Sequence, residues 1–380
     1  MTQFSVSKTI GLLSCPEAFF MQFSKPDSAP VPVAESPHYV RVSLAAAMTL
    51  GFVPGWFYRN ARLGCINLLL TYSGGCKASC AFCGLAAEKK AMTSKNNFIR
   101  VPWKTWRTEE VIEAIKVAPA HVTRVCVSMI THPRSREDVL TICRRVVDET
   151  RKAVSILVAP TLVDRNDLEA MKDAGAQRIG VAIDAATQEI FDRLRGNGVG
   201  GPHRWERYWS TYEQSLEVFG EGMAGVHLIC GLGETEQELV SAISRAKLMG
   251  GYTHLFSFFP ERDSLMESHP VPPIGVYRRI QLARWLIDNG RSSLELMEFD
   301  PMGRIREFGL SEAELAAIIS AGSPFETSGC PGPDGKVACN RPYGNEKPGP
   351  AIRNFPFSPD EEDLQRIVEE LKDCGGEFSK

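Results

Sequence analysis

The stretch INLLLTYSGGCKASCAFC, residues 66–83, runs an apolar segment straight into a loop carrying Cys76, Cys80 and Cys83. INLLLTY (66–72) is nearly continuous in apolar residues, as a strand covered on both faces reads, and such strands belong to parallel sheets sheathed by helices. The loop behind it sets three thiols within eight residues, with Phe82 directly before the third. Soft thiolates suit iron–sulfur chemistry, and three of them can close around one face of a cubane cluster while one iron stays open. An electron-transfer cluster is normally held by four cysteines and a structural zinc by four ligands, so three ligands point to catalysis. A zinc knuckle would need a fourth Cys or His nearby, and the next histidines, His38 and His121, are too distant for the same loop. Disulfides fit poorly with eleven cysteines, an odd number.

Outward from this loop, short apolar runs alternate with longer amphipathic ones. INLLLTY is followed by TEEVIEAIKVA (108–118), RVCVSMIT (124–131) by SREDVLTICRRVVDET (135–150), and VSILVAP (154–160) by DRNDLEAMKDAG (164–175). RIGVAID (178–184) leads to ATQEIFDRL (186–194), GVHLICG (225–231) to ETEQELVSAISRAKLMG (234–250), and THLFSFFP (253–260) to IGVYRRIQLARWLIDNG (274–290). Six strand-then-helix units predict an α/β fold, because parallel strands need helical crossovers. Periodicity alone does not separate a barrel from an open sheet. The predicted organisation is an N-terminal extension over 1–60, a core over 61–290 and a C-terminal extension over 291–380. The first carries Pro26, Pro30, Pro32 and Pro37 and a helix-like RVSLAAAMTLGF (41–52). The last has a Pro/Gly-rich stretch from Ser323 to Pro350, within which 327–349 reads as too polar for a core, and a final helix (358–373) opening on a Ser358/Glu361 capping box.

Net charge of -3 with 23% charged residues describes an ordinary protein with no basic excess for nucleic acid or an anionic membrane. No run reaches the ~18 apolar residues of a membrane span, and the N-terminus lacks the marks of a signal peptide, so a cytoplasmic setting is expected.

The CxxxCx(aromatic)C pattern at Cys76, Cys80, Phe82 and Cys83 resembles the signature of the radical S-adenosylmethionine (radical SAM) superfamily. The resemblance implies a partial six-stranded (β/α) barrel of the TIM-barrel kind, with chemistry at the C-terminal ends of the strands. It also implies a [4Fe–4S] cluster whose open iron chelates S-adenosylmethionine, and reductive cleavage to a 5′-deoxyadenosyl radical. HLICGLGET resembles the VGLGET of the biotin synthase group, which would place Gly231, Gly233 and Glu234 near the adenine. Asp184, at a strand end, is expected to meet ribose hydroxyls or to cap the next helix. Arg195 or Arg193 is expected at the methionyl carboxylate. The family's GGE-like motif is missing from RVCVSMITHPRS (124–135), which leaves backbone carbonyls near Ser128 and Met129 for the amino group. His203, Trp205, Arg207, Tyr208 and Trp209 crowd a segment preceded by glycine and proline, read as a loop, and are open between packing and substrate contact. His254, Phe256, Phe258 and Glu261 lie on or past a late strand, with half of them expected to face the interior.

Cys330 and Cys339 sit in TSGCPGPDGKVACNRPYGNEKPG (327–349) beside Asn340 and Arg341, and resemble half of a second metal site. Cys65 is the expected third thiolate, with Cys15 in reserve. Cys126, Cys143 and Cys230 read first as small hydrophobes, with a reservation for Cys126 because biotin synthase carries second-cluster cysteines on its strands. The tail CNRPYxNE resembles the two-protein lipoyl synthases. That resemblance implies sulfur insertion, a transferase reaction of lipoate biosynthesis, into an octanoyl chain on a carrier protein or domain, with sulfur from an auxiliary iron–sulfur cluster. It further implies an electron donor such as ferredoxin or flavodoxin and a paralogous radical SAM partner. A radical mutase or lyase resembling methylornithine synthase or the hydrogenase-maturation enzyme, and a non-catalytic metal-binding module, are the competing classes.

Overall fold

In the computed structural model, residues 34–86, 97–346, 349 and 351–373 are described. Cys65–Leu70 is a strand with every residue buried, and the sheet grows from it in both directions. In chain order the elements are β1 (Tyr39–Ser43), α1 (Leu44–Thr49), β2 (Cys65–Leu70), β3 (Asn97–Phe98), β4 (Val101–Arg107), α2 (Thr108–Lys116), β5 (Arg124–Ser128) and α3 (Ser135–Thr150). There follow β6 (Ala153–Val158), α4 (Arg165–Asp173), β7 (Ala176–Asp184), α5 (Gln188–Leu194), α6 (Trp205–Phe219), β8 (Ala224–Cys230), α7 (Glu236–Leu248), β9 (Tyr252–Ser257) and α8 (Ile274–Asp288). The tail adds α9 (Glu312–Ser320), α10 (Arg341–Gly344) and α11 (Glu361–Lys372).

The sheet order is β3-β4-β1-β2-β5-β6-β7-β8-β9. All six predicted core strands are present, and β2, β5, β6, β7, β8 and β9 pair in parallel, each to the next. β1 is antiparallel to both β2 and β4. β9 and β3 are the edges, so the architecture is a partial barrel, unclosed. The parallel strands are β-branched and apolar, and the helices between them lay one apolar stripe on the outside, as Val111, Ile112 and Ile115 of α2 do.

Three local expectations are corrected. RVSLAAAMTLGF is not one helix: residues 39–43 form β1, with Val40 and Val42 buried, and the helix starts only after Ser43, whose side chain accepts from the Ala46 N–H. The aromatic-rich segment read as a loop is largely helix α6, with Tyr208, Trp209 and Tyr212 buried. The last helix is capped by Asp360 with Asp363 rather than by Ser358, whose hydroxyl donates instead to Glu326 Oε1 at 2.8 Å.

The Pro/Gly-rich tail is also buried in part, with residues 333–337 exposed. Cys330, Ala338, Cys339, Asn340, Arg341 and Tyr343 are buried. Side-chain bonds substitute for a core: the Leu255 N–H donates to Ser328 Oγ (2.8 Å), Arg124 Nε to the Pro331 carbonyl (3.0 Å), and Arg341 Nη1 to Ser128 Oγ (2.9 Å). The rest of the tail is pinned through α8. Arg278, fully buried, donates to Glu370 Oε2 (2.7 Å) and to the carbonyls of Ile352 and Arg353, and Arg279 pairs with Glu236.

Candidate active site

The loop after β2 is held at three points: the Lys77 N–H on the Thr131 carbonyl (2.8 Å), the Ala81 N–H on the Leu194 carbonyl (2.8 Å), and the Met266 N–H on the Ala81 carbonyl (3.2 Å). This backbone frame turns Cys76, Cys80, Phe82 and Cys83 into one wall of a cavity of about 210 Å³ at the C-terminal ends of the parallel strands. Ser128, Met129, Ala159, Asp184, Ile229 and Phe258 line other walls. Burial pushes the Cys80 and Cys83 thiols up, while the Arg195 guanidinium beside Cys80 pulls that thiol the other way. Iron would deprotonate such thiols outright. Among the described residues no three His, Cys, Asp or Glu side chains are grouped to hold a single metal ion. Three soft donors on one wall, with a polar and apolar chamber in front, fit one face of an iron–sulfur cluster with a small molecule on its open corner.

Asp184 ends β7 with φ of +66°, a left-handed conformation uncommon outside glycine, which Asp adopts more readily than most side chains and which recurs at functional sites. Thr187, not Asp184, caps α5. The Asp184 carboxylate accepts from Arg195 Nη1 at 2.7 Å. Arg195 also donates to the carbonyls of Ala182 and Ile183 and to the Tyr208 hydroxyl (3.2 Å), leaving its Nε unpartnered. Burial raises the Asp184 carboxyl, with Arg195 and Arg341 opposing. Most of the Arg195 guanidinium is therefore committed to the strand end, and Arg193 binds the Leu232 carbonyl (3.4 Å) outside the cavity. Because breaking a buried pair strands a charge, Asp184→Ala is expected to cost about 3–5 kcal/mol, measured as the shift in unfolding free energy in urea. His203, on the cavity wall, has Nδ1 between Tyr208 OH (2.9 Å) and Thr161 Oγ1 (2.7 Å), and burial, with Arg195 and Arg204, lowers it to about 3.

The Glu234 carboxylate accepts the N–H groups of Gly231 (2.6 Å) and Leu232 (2.9 Å), so it serves its own turn. Gly231 and Gly233, at φ of +106° and +111°, allow that turn, and a Cβ on Gly231 would strike Pro272 at 2.7 Å. None of the three lines the cavity; Ile229, just before them, does.

The second set of thiols converges. Cys65 opens β2, Cys126 is the third residue of β5, and Cys330 and Cys339 come from the tail; the four pack together, all buried. Asn67 Nδ2 lies 3.7 Å from Cys65 Sγ and 3.8 Å from Cys339 Sγ, while His254 Nε2 (3.8 Å) and Tyr252 OH (3.6 Å) stand at Cys330 Sγ. The hydrogen bond from Cys65, backed by His254 and the Arg341 N–H, lowers Cys339 to about 5, whereas burial pushes Cys126 up to about 12 and Cys65 well up. Cys126, read first as a small hydrophobe with a reservation, packs with the other three cysteines. Its sequence signals were its place in a buried strand beside the one that Cys65 opens and the resemblance to biotin synthase. Cys143 and Cys230 stay apart from this set, and Cys15 lies outside the described residues. Leu157, His227, Phe256 and Arg341 line both the large cavity and a smaller one of about 20 Å³ at these thiols. The sequence reading passed over His227 and Ile229.

Residues 70–246 match the family model described as the Radical SAM superfamily. Over 72 residues the chain is 33% identical to a GTP 3′,8-cyclase from Rippkaea orientalis, a match covering 19% of this chain and 21% of that one. Over 180 residues it is 25% identical to a biotin synthase from Persephonella marina, covering 47% and 49%. The matches thus span half or less of these curated relatives' own length. Among solved structures, a radical S-adenosylmethionine methyltransferase, TsrM, from Kitasatospora setae is 13% identical, with 75% of this chain and 58% of that chain covered at a TM-score of 0.39. No helix among the described residues is long and apolar enough to cross a membrane.

Proposed function

We propose that the chain, whose residues 70–246 match the Radical SAM superfamily model, is a radical SAM enzyme that inserts sulfur into an unactivated C–H bond of an acyl chain, as a lipoyl synthase does. The observation that carries the reading is the buried set Cys65, Cys126, Cys330 and Cys339 beyond the cavity that Cys76, Cys80 and Cys83 line. Cys76, Cys80 and Cys83 would hold a [4Fe–4S] cluster and the second set an auxiliary iron–sulfur cluster. When bound, the first cluster and S-adenosylmethionine supply a 5′-deoxyadenosyl radical, and the auxiliary cluster supplies sulfur.

This chain's own residues would do the rest. Ser128, Met129 and Asp184 border the place for S-adenosylmethionine, and the apolar wall of Leu157, Ile229 and Phe256 takes an alkyl chain and keeps water out. The substrate proposed is an octanoyl chain on a carrier protein or domain. The reductant is a ferredoxin or flavodoxin, and a paralogous radical SAM protein acts alongside. The test is anaerobic incubation of the reconstituted protein with reductant, S-adenosylmethionine and an octanoylated carrier-domain peptide, read by mass. A gain of one sulfur is the expected result. An unchanged peptide mass beside vigorous 5′-deoxyadenosine release would overturn the reading in favour of a mutase or lyase.

A further inference from the structure

The parallel strands set their inward side chains in levels, two residues apart. On β6 and just past it, Ser155, Leu157 and Ala159 line in turn the small cavity, both cavities and the large one; on β9 and just past it, His254, Phe256 and Phe258 repeat that order. The middle level is thus a partition between the cavity of the triad and that of the second thiols. Leu157, His227 and Phe256 make it, together with Arg341 from the tail, whose Nη1 is fixed on Ser128 Oγ at 2.9 Å. The first three are only half-buried although they lie in the interior, because their free faces front the cavities. Between β6 and β8, β7 brings no side chain to this level. Its residue in register with Leu157 is Gly180, which lines the small cavity.

Gly180 does not have a positive φ, so its backbone would take any residue. Space alone asks for glycine, which weakens a strand and marks a close approach. A Cβ there would stand 3.0 Å from Leu157 Cδ1 and 3.3 Å from His227 Nε2, so the place of the absent methyl is the clearance between these two side chains. The His227 ring is held, its centroid 5.1 Å from that of Phe256 and 5.1 Å from that of His254. Leu157, a flexible apolar side chain that also packs against the second thiols, is therefore the wall that yields. We propose that Gly180 and Leu157 form a specificity-determining throat, which lets an unbranched alkyl chain pass from the large cavity to the second thiol set and turns back a branched one. The inference rests on the sulfur-insertion reading above and adds the class of acyl chain. A single methyl decides because packed interiors give little, and such exclusion amounts to ~10-fold or more in rate.

Thiol labelling of the cluster-free protein with propyl and tert-butyl methanethiosulfonate, read cysteine by cysteine by peptide mass, tests the throat directly. Cys126 lines the small cavity, and Cys76, on the large one, is the internal reference. In wild type the preference for the propyl reagent should be ~10-fold or more greater at Cys126 than at Cys76. Leu157→Ala should bring that excess below about threefold, and Gly180→Ala should slow propyl labelling of Cys126 ~10-fold relative to Cys76. Cys143, fully buried, stays unlabelled while the chain is folded; where its labelling shows that Gly180→Ala does not fold, Leu157→Ala carries the test. Equal preferences at Cys126 and Cys76 in wild type overturn the throat, as does an excess that Leu157→Ala leaves intact or folded Gly180→Ala that labels like wild type. In the reconstituted protein, straight and methyl-branched octanoyl carrier-domain peptides are mixed and the sulfur-bearing products weighed. Wild type should favour the straight chain ~10-fold or more, and Leu157→Ala by less than about threefold. Wild type that releases 5′-deoxyadenosine and adds sulfur to neither peptide overturns the sulfur-insertion reading, while the labelling ratios, taken without cluster, still decide the throat.

Discussion

Cys80→Ala is expected to stop reductive cleavage of S-adenosylmethionine, with 5′-deoxyadenosine release falling below ~1/10³ of wild type, because the variant loses the group that generates the radical rather than one that tunes it. The effect is separable from unfolding. The loop is shaped by backbone bonds from Lys77 and Ala81 and to the Ala81 carbonyl, none of which involves a thiol. Far-UV circular dichroism should therefore be unchanged, while iron per chain falls by about four and not to zero, since [4Fe–4S] clusters bind as units. Cys76→Ala and Cys83→Ala should behave alike. Release of 5′-deoxyadenosine by Cys80→Ala at more than a tenth of the wild-type rate would remove the three-thiol centre from the chemistry.

Cys339→Ala should separate the two halves of the reaction. Iron should drop from about eight to about four per chain, and sulfur-bearing product by more than ~10²-fold, while 5′-deoxyadenosine still forms. Cys339 is the informative choice because Asn67, the Arg341 N–H and Cys65 all converge on its sulfur. Cys143→Ala is the matched control. Cys143 is also buried, but its thiol donates to the Ala174 carbonyl between helices, away from both sets. If Cys339→Ala keeps all its iron and its product yield, the second thiol set is packing and nothing more.

The parallel core was legible because each strand is a run of β-branched and apolar residues and each crossover an amphipathic helix, two periods that do not imitate one another. The start of β1 was not, since Val40 and Val42 merge into the apolar face of α1 and only the Ser43 cap divides them. The triad was legible from spacing alone, all three thiols lying on one short loop. Cys65, Cys330 and Cys339 could be grouped only by resemblance, because 265 residues of chain separate Cys65 from Cys330. The orientation of Glu234 was not legible for a physical reason: a carboxylate beside glycines can face a ligand or fold back onto the turn, as it does here, and sequence does not choose between them. Arg341 was noticed merely as a neighbour of Cys339. Its burial is set by Ser128 across 213 positions, a distance no local pattern spans.

The first parallel strand also works as a ruler. Cys65 stands at its beginning and the triad loop follows its end, and six residues at a rise of ~3.3 Å each give roughly 17 Å from first to last Cα. A pleated strand clamped between neighbours does not stretch, so the interval between the two sulfur-rich ends is fixed by counting residues. Whatever reaches from one toward the other must be slender and elongated, and a one-residue insertion in that strand would change the gauge and turn its side chains to the opposite face.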